Sequence, residues 1–228
     1  MALNSRLLKI AQMVRKGDRV ADIGTDHAYL PVYLVRNGLS NCCFACDVAD
    51  GPLLNARKNI ERSRVDNITL RKGDGLLAVE PEEVDTVVVA GMGGDLIVRL
   101  IDNAPWVKNS RYELLLQPMT SVEDLRRYLC DNGFNIVCEQ AVCSQGRVYT
   151  VIKAVWSGEV LPCEPLFYYL GRLTENIGED EIAYIKRKRR LVFELSENLK
   201  NIKDEEERRA VLIKVVAVID RLLEKYGN

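Results

Sequence analysis

Val20-Ala21-Asp22-Ile23-Gly24-Thr25-Asp26-His27-Ala28-Tyr29-Leu30-Pro31 (20–31) is the stretch whose reading decides the fold. It starts apolar and β-prone, breaks at Gly24 into a short polar loop, and continues into an apolar-periodic segment, Ala28 to Val35, that reads as a helix. A strand that ends in Asp-x-Gly and opens a helix is how doubly wound α/β sheets hold a nucleotide-like ligand. Glycine lets the backbone approach that ligand because no Cβ intervenes, and the helix start offers free N–H groups. Asp22 and Gly24 therefore read as ligand contacts. Asp26 and His27 fall where the loop faces the reacting end of the ligand.

The same punctuation recurs on both sides of this stretch. Leu3 to Val14 carries apolar residues at helical spacing, with Asn4 and Ser5 as candidate caps, and Gly17-Asp18 ends it. Strands are expected at Arg19–Ile23, Cys42–Cys46, Asn67–Arg71, Val84–Ala90 and Tyr112–Leu116, with helices between them. Val84 to Ala90 is almost continuously apolar, as a central parallel strand covered on both faces should be. Ser121, with Asp124 three residues on, opens a further helix. Phe134–Val142 and Arg147–Trp156, joined at Gln145-Gly146, read as an antiparallel pair at the sheet edge. The fold class is α/β, with a seven-stranded, mostly parallel sheet and an antiparallel end.

The pattern changes near Ser157-Gly158, and no strand pattern returns after Pro162 and Pro165. Leu166–Thr174 reads as one helix. Glu179–Lys200 and Asp204–Tyr226 are long, charged and helix-prone, and the break at Asn201-Ile202-Lys203 makes them an antiparallel hairpin. Ile182, Ile185, Leu191, Val192, Leu195 and Leu199 are placed to face Val211, Ile213, Val215, Val218, Ile219, Leu222 and Leu223. The expected division is 1–158 for the sheet domain and 159–228 for a helical coiled-coil domain.

The chain has 228 residues and a formal net charge of −1, so its overall charge gives no sign of a polyanion partner. Local basic groups do. One is Arg6, Lys9, Arg15 and Lys16 with Arg19 just beyond; the other is Lys186-Arg187-Lys188-Arg189-Arg190. No apolar run approaches the roughly 18 residues of a membrane span, and residues 1–16 lack the make-up of a signal peptide. A cytoplasmic protein is expected. Seven cysteines, an odd number without a signal peptide, argue against a disulfide framework. Cys43 and Cys46 read as small buried thiols on a strand. With a single histidine and no second cysteine pair, no metal site is expected.

The dinucleotide fingerprint Gly-x-Gly-x-x-Gly is absent after the first strand, and no P-loop exists. One glycine after Asp22 suits a ligand without a pyrophosphate. Asp47 closes the second strand, where a carboxylate accepts bonds from ribose hydroxyls, and Asp74 follows the third strand, within reach of the exocyclic amine of a base. Acids at three successive strand ends resemble the S-adenosylmethionine site of class I methyltransferases, a Rossmann-like family, over Leu3 to Trp156. The departure is at Asp26 and Ala28, which stand where that family often carries glycines.

At finer grain, Ala-Asp-Ile-Gly-Thr-Asp-His-Ala-Tyr-Leu-Pro (21–31), Asp-Gly-Pro (50–52), Gly-Asp-Gly-Leu (73–76), Ala-Gly-Met-Gly-Gly (90–94), Leu-Gln-Pro (116–118) and the closing hairpin resemble the bacterial tRNA adenine-22 N1-methyltransferase family. The resemblance implies S-adenosylmethionine as cofactor, tRNA as partner, and transfer of a methyl group to N1 of an adenine in the D-loop region. It implies cofactor contacts at Asp22, Gly24, Asp47, Asp74 and Gly91, with loop neighbours Thr25, Val48, Gly75 and Met92. Methylases of exocyclic amines usually carry Asn-Pro-Pro-Tyr or Asp-Pro-Pro-Tyr after the fourth strand. Gly91-Met92-Gly93-Gly94 offers neither acceptor side chain nor ring. A ring nitrogen already has an in-plane lone pair and needs orientation plus a nearby negative charge as the ring becomes cationic. Asp26 is the residue expected in that catalytic role, with His27 and Tyr29 for positioning or stacking. Arg6, Arg19, Gln117, Arg187, Arg189 and Arg190 are the expected RNA contacts. A monomer is expected. Two rivals remain open: a methyltransferase for a small molecule or protein, and a non-catalytic RNA-binding module.

Overall fold

The computed structural model describes residues 3–160 and 163–227; Pro162, placed at the break before the helices, lies outside them. Seven strands form one sheet: β1 (Asp18–Ile23), β2 (Ser40–Asp47), β3 (Ile68–Lys72), β4 (Thr86–Met92), β5 (Glu113–Pro118), β6 (Phe134–Ser144) and β7 (Arg147–Trp156). Their order is β3-β2-β1-β4-β5-β7-β6. β1 to β5 run parallel, and β7 is antiparallel to both β5 and the edge strand β6. The chain builds outward from β1 to β3, then crosses back to lay β4 on the other side of β1. That reversal opens a crevice beyond the carboxyl ends of β1 and β4, the place where such sheets bind ligands.

Helices cover both faces. α1 (Ser5–Met13) and α2 (Tyr29–Arg36) lie on one side, and α4 (Gly94–Asp102) and α5 (Val122–Asp131) on the other. The central strand shows why its sequence is apolar without alternation. Val88 packs with Ile10, Leu30 and Leu34, while Val87 and Val89 pack with Ile97, Ile101 and Leu125 on the opposite face. α1 begins where Asn4 Oδ1 accepts from Leu7 N at 2.9 Å, so Asn4 caps it. α3 (Asp50–Ser63) follows β2. No helix among the described residues is long and apolar enough to cross a membrane.

Several expectations need correction. Ser121 opens α5 as expected, at its N-cap position, but with a left-handed backbone (φ 51°) and without a side-chain cap: its hydroxyl hydrogen-bonds Asp95 Oδ2 on α4 at 3.1 Å. The helix expected over 166–174 stops early as α6 (Pro165–Leu170), where Gly171 turns to positive φ. β4 continues through Gly91 to Met92 rather than breaking at Gly91. Cys130 at the end of α5 is joined by a disulfide to Cys163 in the segment leading to α6, and Cys42, Cys43, Cys46, Cys138 and Cys143 are free thiols. Burial pushes Cys43 and Cys46 up to about 12.

α7 (Glu179–Asn198) and α8 (Glu206–Tyr226) form the hairpin. Its seam is Ile185, Val192 and Leu199, one heptad apart, against Leu212, Val215, Val216 and Ile219. Leu191, Val211 and Ile213 face outward, one helical position off the expected stripe. The hairpin is fastened to the sheet by a buried ion pair. Arg126 on α5 and Glu139 on β6 meet at 2.5 Å, both side chains fully inaccessible. Arg126 also donates to the Tyr168 and Tyr169 carbonyls near the end of α6 and to the Tyr184 hydroxyl on α7. Lys188 adds a pair with Glu123.

Candidate active site at the strand ends

Two hollows meet at Gly24. The first, about 340 Å³, is walled by Asn4, Arg6, Asp22, Thr25, Asp26, His27, Tyr29 and Gly91. The second, about 160 Å³, lies over the ends of β2 and β3 between Asp47, Val48, Asp74, Gly75, Met92 and Leu96. Gly24 has φ 77°, and a Cβ there would lie 2.1 Å from Met92 Cε, so glycine serves both the turn and the close approach of β4. A larger hollow of about 680 Å³ lies beside β6, lined by Glu139, Glu175 and Glu181 with Lys9 and Arg172. No parallel strand end opens into it.

The loop after β1 is held from several directions. Gly24 N and Thr25 N both donate to Cys46 O at 2.9 Å, tying β1 to β2 beyond the last sheet pair. Thr25 is buried; its hydroxyl accepts from Ala28 N at 3.2 Å and hydrogen-bonds Asp22. Ala28 takes a left-handed backbone (φ 52°) and is fully buried, so α2 starts only at Tyr29. Asn59 on α3 donates to His27 O at 2.8 Å, fixing the loop from beneath. The sequence reading missed Asn59. Its signal is a polar residue on the same helical face as the buried Ala56 and half-buried Ile60.

Asp22 is 8% exposed, and burial pushes its carboxyl up to about 6, against the favourable pull of Thr25 and Arg6. Burial outweighs both pulls, so a cationic ligand group beside Asp22 would stabilise its ionised form. Asp47 is half-buried, and its Oδ1 accepts from Ala49 N at 2.8 Å. Asp74 is exposed at the start of the 3₁₀ turn Gly75–Ala78. Val48 is 63% exposed and Leu96 37%, apolar side chains on the lining of the second hollow. They flank a space suited to a planar ring; Leu96 was not anticipated from the sequence.

Asp26 is exposed and its Oδ2 lies 3.2 Å from His27 Nε2. His27 stacks on Tyr29 with ring centroids 5.0 Å apart and planes 15° from parallel. The three expected catalytic side chains thus line one hollow with Asp22.

The expected RNA contacts separate. Arg19 is at the other end of β1, locked onto Asp85 by two guanidinium bonds at 2.8 and 2.9 Å, so it does not face the cleft. Arg15 pairs with Asp18 at that same remote end. Gln117 is fully buried: its Oε1 accepts from Gly91 N at 3.1 Å and from Arg6, and its Nε2 donates to Pro118 O at 3.0 Å. It orients Arg6 rather than meeting a substrate. Arg6 is half-buried in the first hollow with its guanidinium over Gly91, and burial lowers its pKa. In the hairpin, Arg189 is bound to Asp220 at 2.9 Å and Lys188 is buried. Arg187 reaches the sheet through Val148 O at 3.0 Å, and Arg190 is exposed without an ion partner among the described residues.

A family model described as a methyltransferase domain matches residues 3–152. The chain is 34% identical over 155 residues to the tRNA (adenine(22)-N(1))-methyltransferase of Bacillus subtilis (strain 168); the match spans 68% of this chain and 65% of that protein. The crystal structure of the B. subtilis tRNA methyltransferase TrmK is similar to this chain with a TM-score of 0.80 at 26% identity, covering 100% of this chain and 99% of that one. M. capricolum TrmK in complex with S-adenosyl-homocysteine is similar with a TM-score of 0.78 at 26% identity, covering 96% of this chain and 100% of that one.

Proposed function

Because the chain belongs to the family of methyltransferase domains, we propose that it is an S-adenosylmethionine-dependent enzyme that methylates N1 of adenine 22 in tRNA. The likeness to the B. subtilis enzyme supports the reaction, and the cleft supports how it proceeds. The observation that carries the reading is the set of carboxylates at one sheet edge, with buried Asp22 and exposed Asp26 on the wall of the same hollow.

The residues fit the cofactor. Asp22 would hold the ammonium of the methionine end, Asp47 the ribose hydroxyls and Asp74 the adenine amine, with Val48 and Leu96 on the ring faces. When bound, S-adenosylmethionine supplies a methyl carbon on a cationic sulfur. Gly24, Thr25, Gly75, Gly91 and Met92 line the path along which it would lie.

On the substrate side, an adenine inside folded RNA must be turned out of its stack to reach the cleft. Its N1 presents a lone pair and gives up no proton. The ring becomes cationic, and Asp26 supplies the facing negative charge while accepting from the N6 amine. His27 holds Asp26 in place, and Tyr29 holds His27 by stacking. Gly91 to Gly94 supply no side-chain acceptor for an exocyclic amine, which favours the ring nitrogen. Residues 1–158 form the methyl-transferring unit and 159–228 the helical unit. The protein works as a monomer in the cytoplasm.

The test is incubation of the protein with unmodified tRNA and methyl-labelled cofactor, followed by mapping of the labelled nucleotide. Label at N1 of adenine 22, and none in a tRNA carrying guanine there, is the expected result. Label in protein or small molecules, with bare tRNA untouched, overturns the proposal.

A further inference from the structure

A further hollow, about 650 Å³, opens at the same sheet edge as the cleft, between the end of β5, the β6–β7 turn and α7. Its wall includes Met119, Cys143, Arg147, Tyr149 and Arg187, and it contains no carboxylate. Its position follows from the sheet. β7 pairs with β5 as far as Ile152↔Leu116, and its first residues run on past that pair. Met119 N donates to Met92 O at 2.8 Å, so the floor of this hollow is bonded directly to the strand that lines the cofactor path. Arg187 closes the far side by donating to Val148 O at 3.0 Å. Tyr149 packs into the same apolar cluster as Leu7 of α1, and Leu7 and Arg6 both line the first hollow. The two hollows are therefore neighbours across the packing of α1 on β7.

The chemistry of this wall is specific. A chain with one more acidic than basic side chain here gathers two arginines without a lining acid. Arg147 is exposed and carries no ion partner among the described residues. Asp180, from the start of α7, is hydrogen-bonded to the Cys143 thiol. Tyr149 and the 38% exposed Met119 add flat and soft apolar surface between the charges. Phosphate met by arginine and a base met by an aromatic ring are the usual terms of single-stranded RNA recognition. The volume lies in the range of small-ligand sites, roughly 300–1,000 Å³. By contrast, the hollow beside β6 mixes three glutamates with its two cations.

We propose that this hollow is a second RNA subsite, which takes the nucleotide next to the methylated adenine: Arg147 and Arg187 on its phosphate, Tyr149 and Met119 against its base. The inference rests on the tRNA reading above and deepens it. A base turned out into the first hollow drags its neighbours across the rim, and the rim on the β5 side is this hollow. The helical unit then contributes to the site through Arg187, not only as an outlying arm.

Arg147→Glu tests this on the full protein, since Arg147 is exposed and makes no ion pair that its loss would orphan. The measurements are tRNA binding as a function of salt, cofactor binding by calorimetry, and single-turnover methylation at saturating tRNA. The expected result is a tRNA dissociation constant raised about tenfold or more and a salt slope reduced by about one, with cofactor affinity unchanged. A second readout needs no mutation: bound tRNA should slow alkylation of Cys143, followed by peptide mass spectrometry, while cofactor alone should not. If wild-type protein methylates tRNA but Arg147→Glu keeps its affinity and salt slope, the subsite is wrong and the function stands. If wild-type protein neither binds nor methylates tRNA, the function itself fails.

Discussion

The carboxylate of Asp26 and the imidazole of His27 meet at 3.2 Å, Oδ2 to Nε2, on the open side of the cleft. The pair is held from behind, since His27 O accepts from Asn59 and its ring stacks on Tyr29. Asp26 makes no contact that the fold needs, so its loss should be felt in the reaction and not in stability. Asp26→Ala is expected to lower single-turnover methylation by about 10²–10³-fold, the usual size for removing one preorganised electrostatic partner. Cofactor affinity by calorimetry should stay within about twofold of wild type, because no cofactor charge falls to Asp26. A variant that turns over at the wild-type rate removes Asp26 from the mechanism.

Asp22 gives the cleft a pH dependence whose sign follows from its burial. With its carboxyl pushed up to about 6, the free protein holds a proton there below that value. A cationic ligand group needs the ionised form, so binding must expel the proton. The dissociation constant for S-adenosylmethionine should be flat from pH 6.5 to 8, and below about pH 6 should rise by up to about tenfold per unit. Asp22→Asn should bind weakly at every pH, with a flat profile. The free protein's stability moves the other way. A carboxyl whose folded pKa lies above its unfolded value contributes stability as pH falls through about 6 toward the ordinary carboxylate range, and loses it as pH rises. Calorimetric titrations between pH 5 and 8 check the binding sign, and denaturant melts of the free proteins between about pH 4 and 7 check the stability sign; a wild-type binding profile without a break near 6 counts against the assignment.

Much of this cleft was legible because its carboxylates close strands, and strand ends are written locally. Asp22 before Gly24, Asp47 before the α3 start and Asp74 between two glycines each announce a turn within a few residues. The misplaced residues have partners far along the chain. Arg19 is bound by Asp85, 66 residues on, and Arg6 is bound by Gln117, 111 residues on. Nothing within a short window says that Gln117 is buried or that Arg189 belongs to Asp220. The hairpin seam was legible for Ile185, Val192, Leu199, Val215 and Ile219, and it missed at Leu191, Val211 and Ile213 for a different reason. Both faces of α7 carry apolar residues, so Leu191 and Val192 compete for the core, and only packing on α8 and the sheet selects Val192.

The fastening of the hairpin to the sheet predicts two very different charge deletions. Arg126 and Glu139 are fully inaccessible, and the pair also anchors Thr150, Tyr184 and the backbone beyond α6. Glu139→Gln leaves a buried guanidinium without its counter-charge and should destabilise the protein by about 3–5 kcal/mol. Arg189–Asp220 is exposed on both sides at 37% and 41%, and Arg189→Ala should shift stability by no more than about 1 kcal/mol. Denaturant melts of the two variants decide this. Equal, small losses would mean that the hairpin does not depend on the buried pair.

Arg6 and Asp22 share one hollow and attract each other. They present one positive and one negative group to whatever lies between Gly24 and Gly91. An α-amino acid carries the complementary pair, an ammonium and a carboxylate. If Asp22 takes the first, Arg6 takes the second, and Gln117 keeps the guanidinium aimed. Hydrogen bonds between charged groups contribute about 1.5–3 kcal/mol, or roughly 10–150-fold in affinity. The wild-type protein should therefore prefer S-adenosylmethionine over its decarboxylated analogue by about that factor. Arg6→Met should erase the preference by weakening only the carboxylated ligand, and Gln117→Leu should reduce it. Methylthioadenosine, which lacks the amino-acid end, should bind all three proteins alike. Were Arg6 turned to RNA instead, Arg6→Met would raise the KM for tRNA and leave the preference between the two cofactors intact. Competitive calorimetry with the three ligands separates these outcomes without any turnover.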